Sequence, residues 1–380
     1  MRGGDGLQRL QEILESGDGL FEDFFEWLEG QYDPESGGFY YARSSRNSPR
    51  FAPDIESTAQ ALGIIERCGL AAGLTEEVKG RMIRFFQSKQ DPVTGYFYDA
   101  NPDMRRDEVM VGRALGYSVG SLRKLGAAPL YPLPGAGGSE EAAPDYCRSP
   151  AAYRDWLRSI SLVNSWRGCD RLCNSAPYLL QMPMGKRETY LQEALSYFAE
   201  IQDPDTGLWG EGAPYVRISG TFKLLTFYNR FGIPLPRVPE IYRSLLHILR
   251  TERAEDMCYI RNPISLLSSM NMGIAEDEMV EIAEITLWNM ARLKRADGGF
   301  SRELHHSPPA PNVAQVKPGE SYPDMPVPVP LGRGEVEGDM NAGTQAILIR
   351  YTLRELGGLP ATELQAAKFS PRFRRIPADE

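Results

Sequence analysis

Apolar positions recur at helical spacing along most of the chain. Leu7, Leu10, Ile13 and Leu14, followed by Phe21, Phe24, Phe25 and Leu28, predict a first helix over Gly6–Glu29, with an interruption at Gly17-Asp18-Gly19. The same reading predicts helices at Ile55–Cys68, Glu76–Lys89, Asp107–Leu125, Tyr153–Val163, Cys169–Leu180, Arg187–Ile201, Ser219–Phe231, Pro239–Arg250, Asn262–Met270, Asp277–Leu293 and Asp339–Leu356. No stretch carries credible strand periodicity. A turn recurs between paired helices: Tyr32-Asp33-Pro34-Glu35-Ser36-Gly37-Gly38-Phe39, Gln90-Asp91-Pro92-Val93-Thr94-Gly95-Tyr96-Phe97, Gln202-Asp203-Pro204-Asp205-Thr206-Gly207-Leu208-Trp209 and the shorter Arg295-Ala296-Asp297-Gly298-Gly299-Phe300. Proline fixes its own φ and disfavours the α region for the preceding aspartate, glycine supplies a positive φ, and the aromatic folds back as an anchor.

A repeated turn implies a repeated unit. Six helix pairs predict an all-α, closed (α/α)6 toroid spanning residues 1–380 as one domain, the first helix of each pair outside and the second inside. The inner helix Ile55–Cys68 fits that place because Ser57, Thr58, Ala59, Ala61 and Gly63 permit close packing on both flanks. Closure is suggested by the related starts of the first and last inner helices, Asp54-Ile-Glu-Ser-Thr-Ala-Gln-Ala and Asp339-Met-Asn-Ala-Gly-Thr-Gln-Ala; an open solenoid would want polar capping repeats. A Pro/Gly/Ala linker at 126–144 separates the halves. The segment 301–338 is far longer than an ordinary connection and is expected to be a lid over the ring's mouth.

A formal net charge of −9 gives no electrostatic support for nucleic-acid binding. The amino terminus lacks a basic segment followed by an apolar run, and no apolar stretch reaches membrane-spanning length, so a cytoplasmic protein without membrane association is expected. Five cysteines, an odd number in a long chain, read as reduced thiols. Cys169 and Cys173 share a helix face, but no histidine lies near in sequence, and neither metal nor cofactor is expected.

The inner helices start on the turn side, so their first turns should surround one end of a central cavity. The residues arriving there include Asp54, Glu56, Ser57, Asp107, Glu108, Arg217, Ser219, Lys223, Arg261, Asn262, Asp339 and Asn341. This polar, mixed-sign rim suits a hydroxyl-rich or carboxylate-bearing small molecule better than a hydrocarbon. Asp54 and Asp339 are also placed to cap their helices; Glu56, inside the first turn, is harder to explain as a cap. The aromatics after the turns, among them Tyr40 and Trp209, can stack on sugar rings or pack in the core. His305 and His306, in the long loop, can close onto substrate as acid or base.

Resemblances to two functional classes of α/α toroid follow from these motifs. Pro53-Asp54-Ile55-Glu56-Ser57-Thr58-Ala59 resembles the acid motif of class II terpenoid cyclases, with Glu56 at the place of the proton-donating aspartate and Ser57 where an aspartate is expected. Asp256-Met257-Cys258-Tyr259 resembles the zinc-ligand motif of protein prenyltransferase β-subunits, but Asp339–Thr344 lacks the histidine that would complete the set. Asp203-Pro204-Asp205-Thr206-Gly207-Leu208-Trp209 is similar to the turn of six-hairpin unsaturated glucuronyl and rhamnogalacturonyl hydrolases, although Gly210-Glu211-Gly212 departs from that pattern. The resulting expectation is a hydrolase or lyase for an acidic oligosaccharide. Glu56 is its acid and Asp54 or Asp339 the carboxylate partner. Arg217 and Lys223 bind the acidic sugar with Tyr40, Asn262 and Asn341, Trp209 stacks, and His305 or His306 closes from the loop. An isoprenoid-directed enzyme and a non-catalytic binding toroid are the alternatives, and the oligomeric state stays open.

Overall fold

The computed structural model describes residues 5–134, 144–310, 321–323, 325–360 and 362–364. The amino-terminal segment forms α1 (Asp5–Asp18) and α2 (Phe24–Gly30), broken near the predicted glycines. After a short α3 (Arg43–Arg46) come α4 (Ile55–Arg67), α5 (Glu76–Ser88) and α6 (Glu108–Lys124). The middle of the chain holds α7 (Pro150–Ser159), α8 (Ser165–Cys173), α9 (Ala176–Gln181), α10 (Met184–Ile201) and α11 (Pro214–Phe231). The last third holds α12 (Val238–Thr251), α13 (Met257–Ser269), α14 (Glu276–Leu293) and α15 (Met340–Leu356). Among the described residues the only β pairing is a set of isolated bridges, and no helix is long and apolar enough to cross a membrane.

The recurring turn has one internal structure. In the copy at 202–209, Asp203 N donates to Leu208 O at 3.1 Å and Gly207 N to Asp203 O at 2.9 Å. The Asp203 carboxylate accepts from the amides of Asp205 and Thr206 at 2.9 and 3.1 Å. Asp33 and Asp91 repeat this, each accepting from the amides two and three residues on. The glycine takes φ values of 79°, 73° and 71° at Gly37, Gly95 and Gly207, which an L side chain adopts only with strain; at Gly207 an added Cβ would also meet Ile241 N at 2.9 Å. The aromatics Phe39, Phe97, Trp209 and Phe300 are fully buried. Thr58 and Thr221 hold two of them from the following helix, accepting from Phe39 N at 2.9 Å and Trp209 N at 3.1 Å.

The second helix of each pair packs on its counterparts: α4 on α6 and α15, α13 on α15 and α11, and α11 on α8. Between α6 and α8 the link is made by side chains, the buried Asp107 and Arg167 joining at 3.1 Å. The first and last helices also meet. α1 packs on α14, and Asp18 accepts from Arg350 at 2.7 Å and from Arg354 at 2.9 Å. Caps follow the sequence closely: Asp54, Thr75, Asp107, Ser149, Asn164, Asp256 and Asp339 each accept from a first-turn amide. Several boundaries differ from expectation: α7 runs Pro150–Ser159 and not Tyr153–Val163, α11 starts at Pro214 and not Ser219, and α13 starts at Met257 and not Asn262. The helix predicted at Cys169–Leu180 starts earlier, at Ser165, because Asn164 caps it, and it breaks before α9.

The loop after α14 is anchored at its base. Ser301 N donates to Leu293 O at 2.8 Å, and Leu331 N returns to Pro309 O at 2.7 Å. Tyr41 donates its hydroxyl to Pro308 O at 2.9 Å. Farther out, the Tyr322 hydroxyl accepts from Arg167 Nε at 3.2 Å, so the segment reaches from α15 to α8. Part of this segment, 311–320, and part of the predicted linker, 135–143, lie outside the described residues.

Candidate functional site

The faces that the second helices turn toward one another carry a polar cluster. Glu56 and Gln60 stand one turn apart on α4, Arg113 and Tyr117 one turn apart on α6. Glu56 Oε1 accepts from Arg113 Nη2 at 2.6 Å, Gln60 Nε2 at 3.0 Å and the Tyr117 hydroxyl at 3.3 Å. The Arg113 guanidinium lies 6.0 Å from the ring centre of Trp166 on α8, and Lys223 Nζ of α11 lies 4.9 Å from the same ring and 2.9 Å from Asp170. On α13, Arg261 stacks on Phe222 at 4.2 Å. Arg302, at the base of the loop, donates to Asp256 at 2.8 Å and to Asn341 at 3.0 Å, and Asn341 accepts from Gln345 at 2.7 Å.

Above Glu56 and Tyr117, toward the turns, is a cavity of about 210 Å³. Phe51, Ile55, Met104, Met110, Val329 and Leu331 give it apolar walls, the last two from the long loop. Its polar groups include Asp54, Glu56, Lys89 and Asp99. On the other side of the cluster is a cavity of about 560 Å³ lined by Gln60, Gly63, Gly116 and Gly120, among others. Tyr117 borders both cavities.

Two carboxyl groups meet at the start of α4. Asp54 Oδ1 accepts from Ser57 N at 2.8 Å, while its Oδ2 is buried without a hydrogen-bond partner. Asp99 accepts from Ile55 N at 3.2 Å and is paired with Lys89 at 3.0 Å. Burial first, then the neighbouring Asp99, pushes the Asp54 carboxyl up to about 8. Burial raises Asp99 as well, against the pull of Lys89. Like charges in one site favour a shared proton. Lys89 favours the ionised form of Asp99, which biases the shared proton toward Asp54.

The other predicted residues are placed as follows. Asp339 has both oxygens occupied, by Ala342 N at 2.8 Å on one side and by Arg302 N at 2.6 Å and Ser307 Oγ at 2.8 Å on the other; it caps α15 and secures the loop base. Asn262 donates to Ser219 Oγ at 2.9 Å, joining α13 to α11. Trp209 corrects the stacking expectation: it is fully buried, and its Nε1 donates to Phe198 O at 2.8 Å, so no face is open to a sugar. Arg217 is likewise committed to the turn, donating to Asp203 at 2.9 Å and Thr206 at 3.2 Å. Lys223 is bound to Asp170. Tyr40 sits partly exposed in the first turn, its amide donating to Gln31 O at 2.9 Å. His305 is exposed and His306 lies 3.5 Å from Glu303; neither lines the two cavities among the described residues.

Arg113, Tyr117, Asp99, Lys89, Trp166, Asp170 and Arg302 are absent from the candidates that sequence suggests. One signal was available. Polar pairs four residues apart, Glu56 with Gln60 and Arg113 with Tyr117, interrupt helices whose other positions over 55–65 and 109–122 are small or apolar. Compared with known proteins, the chain matches no family model, no curated protein and no solved structure.

Proposed function

We propose that the six helix pairs form a closed (α/α)6 toroid and that the chain is a carbohydrate-active hydrolase for a small acidic oligosaccharide, acting in the cavity beneath residues 329–331. The observation that carries this reading is the pair Asp54 and Asp99: a buried carboxyl with an unpartnered oxygen, which burial biases toward its protonated form, beside a carboxyl paired with Lys89. Glycoside hydrolysis needs a protonated carboxyl and an ionised one flanking the glycosidic bond. Asp54 gives its proton to the glycosidic oxygen as the bond from the anomeric carbon breaks. Asp99 takes a proton from the water whose oxygen forms the new bond to that carbon. Glu56, paired with Arg113, accepts hydrogen bonds from substrate hydroxyls. The acid role therefore moves from Glu56, which is paired with a guanidinium, to Asp54, which is not.

The polar cluster of carboxylates and guanidiniums around Tyr117 and Trp166 supports a hydroxyl-rich ligand, and the long loop serves as its cover. The test is incubation of the full chain with unsaturated digalacturonate and unsaturated rhamnogalacturonyl disaccharides, following loss of the ultraviolet absorbance of the unsaturated ring. Consumption of at least one is expected; turnover of none sinks the reading. A second reading, protonation of an isoprenoid double bond, is favoured by the apolar walls Phe51, Met104, Met110 and Val329. It predicts product from an isoprenoid diphosphate and none from the disaccharides.

A further inference from the structure

The cavity that holds Asp54 and Glu56 adjoins a second space on the side of the second turn. Lys89, Asp99 and Ala100 line the cavity and also line an open cleft of about 650 Å³. The turn builds that cleft: Gln90 and Asp91 lie in it, and Tyr98 N donates to Lys89 O at 2.9 Å, which sets Tyr98 next to the lysine. The short helical turn Pro102–Arg106 divides its residues between the two spaces, Met104 lining the inner cavity and Arg105 the cleft. The Arg105 guanidinium lies over the Tyr98 ring at 4.2 Å. Its ion pair with Asp91 is long, at 3.5 Å, and its side chain is 56% exposed, so that pair holds it only weakly. Asp91 is engaged elsewhere, its Oδ1 accepting from Val93 N at 3.0 Å and Thr94 N at 2.9 Å.

The inner cavity, at about 210 Å³, is smaller than the roughly 300 Å³ at which pockets for drug-sized ligands begin. A disaccharide seated there must extend into the cleft. Charge decides which ring goes where. Inside, the carboxyls of Asp54, Glu56 and Asp99 stand against Lys89 and Arg50, an excess of acid. In the cleft, Lys89 and Arg105 balance Asp91 and Asp99. A guanidinium stacked on a ring keeps its N–H donors at its edge, where a carboxylate meets them with two parallel hydrogen bonds. We infer that the cleft is the second sugar subsite of the proposed hydrolase: one ring occupies the inner cavity, the acidic ring lies in the cleft with its carboxylate on Arg105, and the glycosidic bond crosses between them at Asp99. This rests on the proposed acidic-oligosaccharide reading and adds the residue that selects for the acid.

The experiment is calorimetric titration of the full-length Asp54→Asn protein, which keeps the cleft intact and slows turnover. The ligands are the unsaturated rhamnogalacturonyl disaccharide, whose second ring is neutral, and the same disaccharide with its carboxyl reduced to the alcohol. The acid is expected to bind about tenfold or more tighter than the alcohol. With Arg105→Ala added, acid and alcohol should bind alike, and with Arg105→Lys the preference should be partial. Ala100 is exposed and lines both spaces, so adding Ala100→Trp should obstruct the junction and weaken both ligands. Equal binding of acid and alcohol to the Asp54→Asn protein, binding of neither, acid preference surviving Arg105→Ala, or full affinity in Ala100→Trp each overturns the inference. If the preference holds and depends on Arg105 while the natural chain turns over no disaccharide, the subsite stands and the hydrolase reading fails. Turnover by the natural chain with equal binding of acid and alcohol keeps the hydrolase and removes the subsite.

Discussion

Glu56 Oε1 lies 2.6 Å from Arg113 Nη2, and this contact joins the first two of the second helices, α4 and α6, across 57 residues of sequence. Both groups are largely buried, with side chains 7% and 20% exposed, so removing one partner strands the other. Arg113→Met is expected to cost about 3 kcal/mol or more, read by urea denaturation. Glu56→Gln should cost less, because the amide still accepts from Arg113. It should slow turnover without abolishing it. Loss of all activity in Glu56→Gln, with folding intact, would return the acid role to Glu56.

Asp54 makes stability depend on pH in a defined direction. Its folded pKa is raised to about 8, above the roughly 3.9 of an unfolded aspartate. The stabilisation linked to its proton is therefore complete below the unfolded value and is lost as pH rises through about 8. Asparagine keeps the cap and has no proton to lose. The melting temperature of Asp54→Asn should gain on that of the natural chain as pH rises from about 4 to about 8 and run parallel to it above that, because the folded and unfolded states differ in bound protons only between those values. Parallel curves over that window would contradict the assignment.

Trp209 separates packing from binding. It is fully buried and tied to Phe198 O, so Trp209→Ala is expected to cost about 3–5 kcal/mol. KM, measured well below the variant's melting temperature, should stay unchanged. A raised KM with little loss of stability would show a stacking platform instead.

Asp339 joins the cap of α15 to the base of the loop through Ala342, Arg302 and Ser307. Asp339→Ala should cost about 2 kcal/mol and speed hydrogen exchange at Arg302 and Ala342. Unchanged exchange there would mean that the loop base is held by other contacts, such as Tyr41 with Pro308.

The helices and turns were legible because each is specified locally. Asp203, Pro204 and Gly207 dictate the turn within a few residues, and Asp54, Asp107 and Asp339 write the helix starts. The start of α8 was readable in principle from Asn164 but was obscured by the weak apolar pattern of Ser165-Trp166-Arg167. Much of the site was not legible, since its pairs are nonlocal: Asp107 with Arg167 lies 60 residues apart and Glu56 with Arg113 57. Asp54 and Glu56 stood out as acids at a helix start, yet their roles depend on partners, Asp99 for Asp54 and Arg113 for Glu56, that approach only in the fold. Trp209 misled for the opposite reason. Its equivalents Phe39, Phe97 and Phe300 already pointed to an anchor that the repeat requires in the core.

The most direct test of Asp54 as proton donor is the pH dependence of kcat/KM for unsaturated digalacturonate with the natural chain and with Asp54→Asn. The natural chain should lose activity as pH rises through about 8, where Asp54 gives up its proton. Asp54→Asn should be slower by about 10²–10⁴-fold and lack that limb. An Asp54→Asn protein that keeps the natural rate, or that keeps the same fall near that pH, would contradict the account.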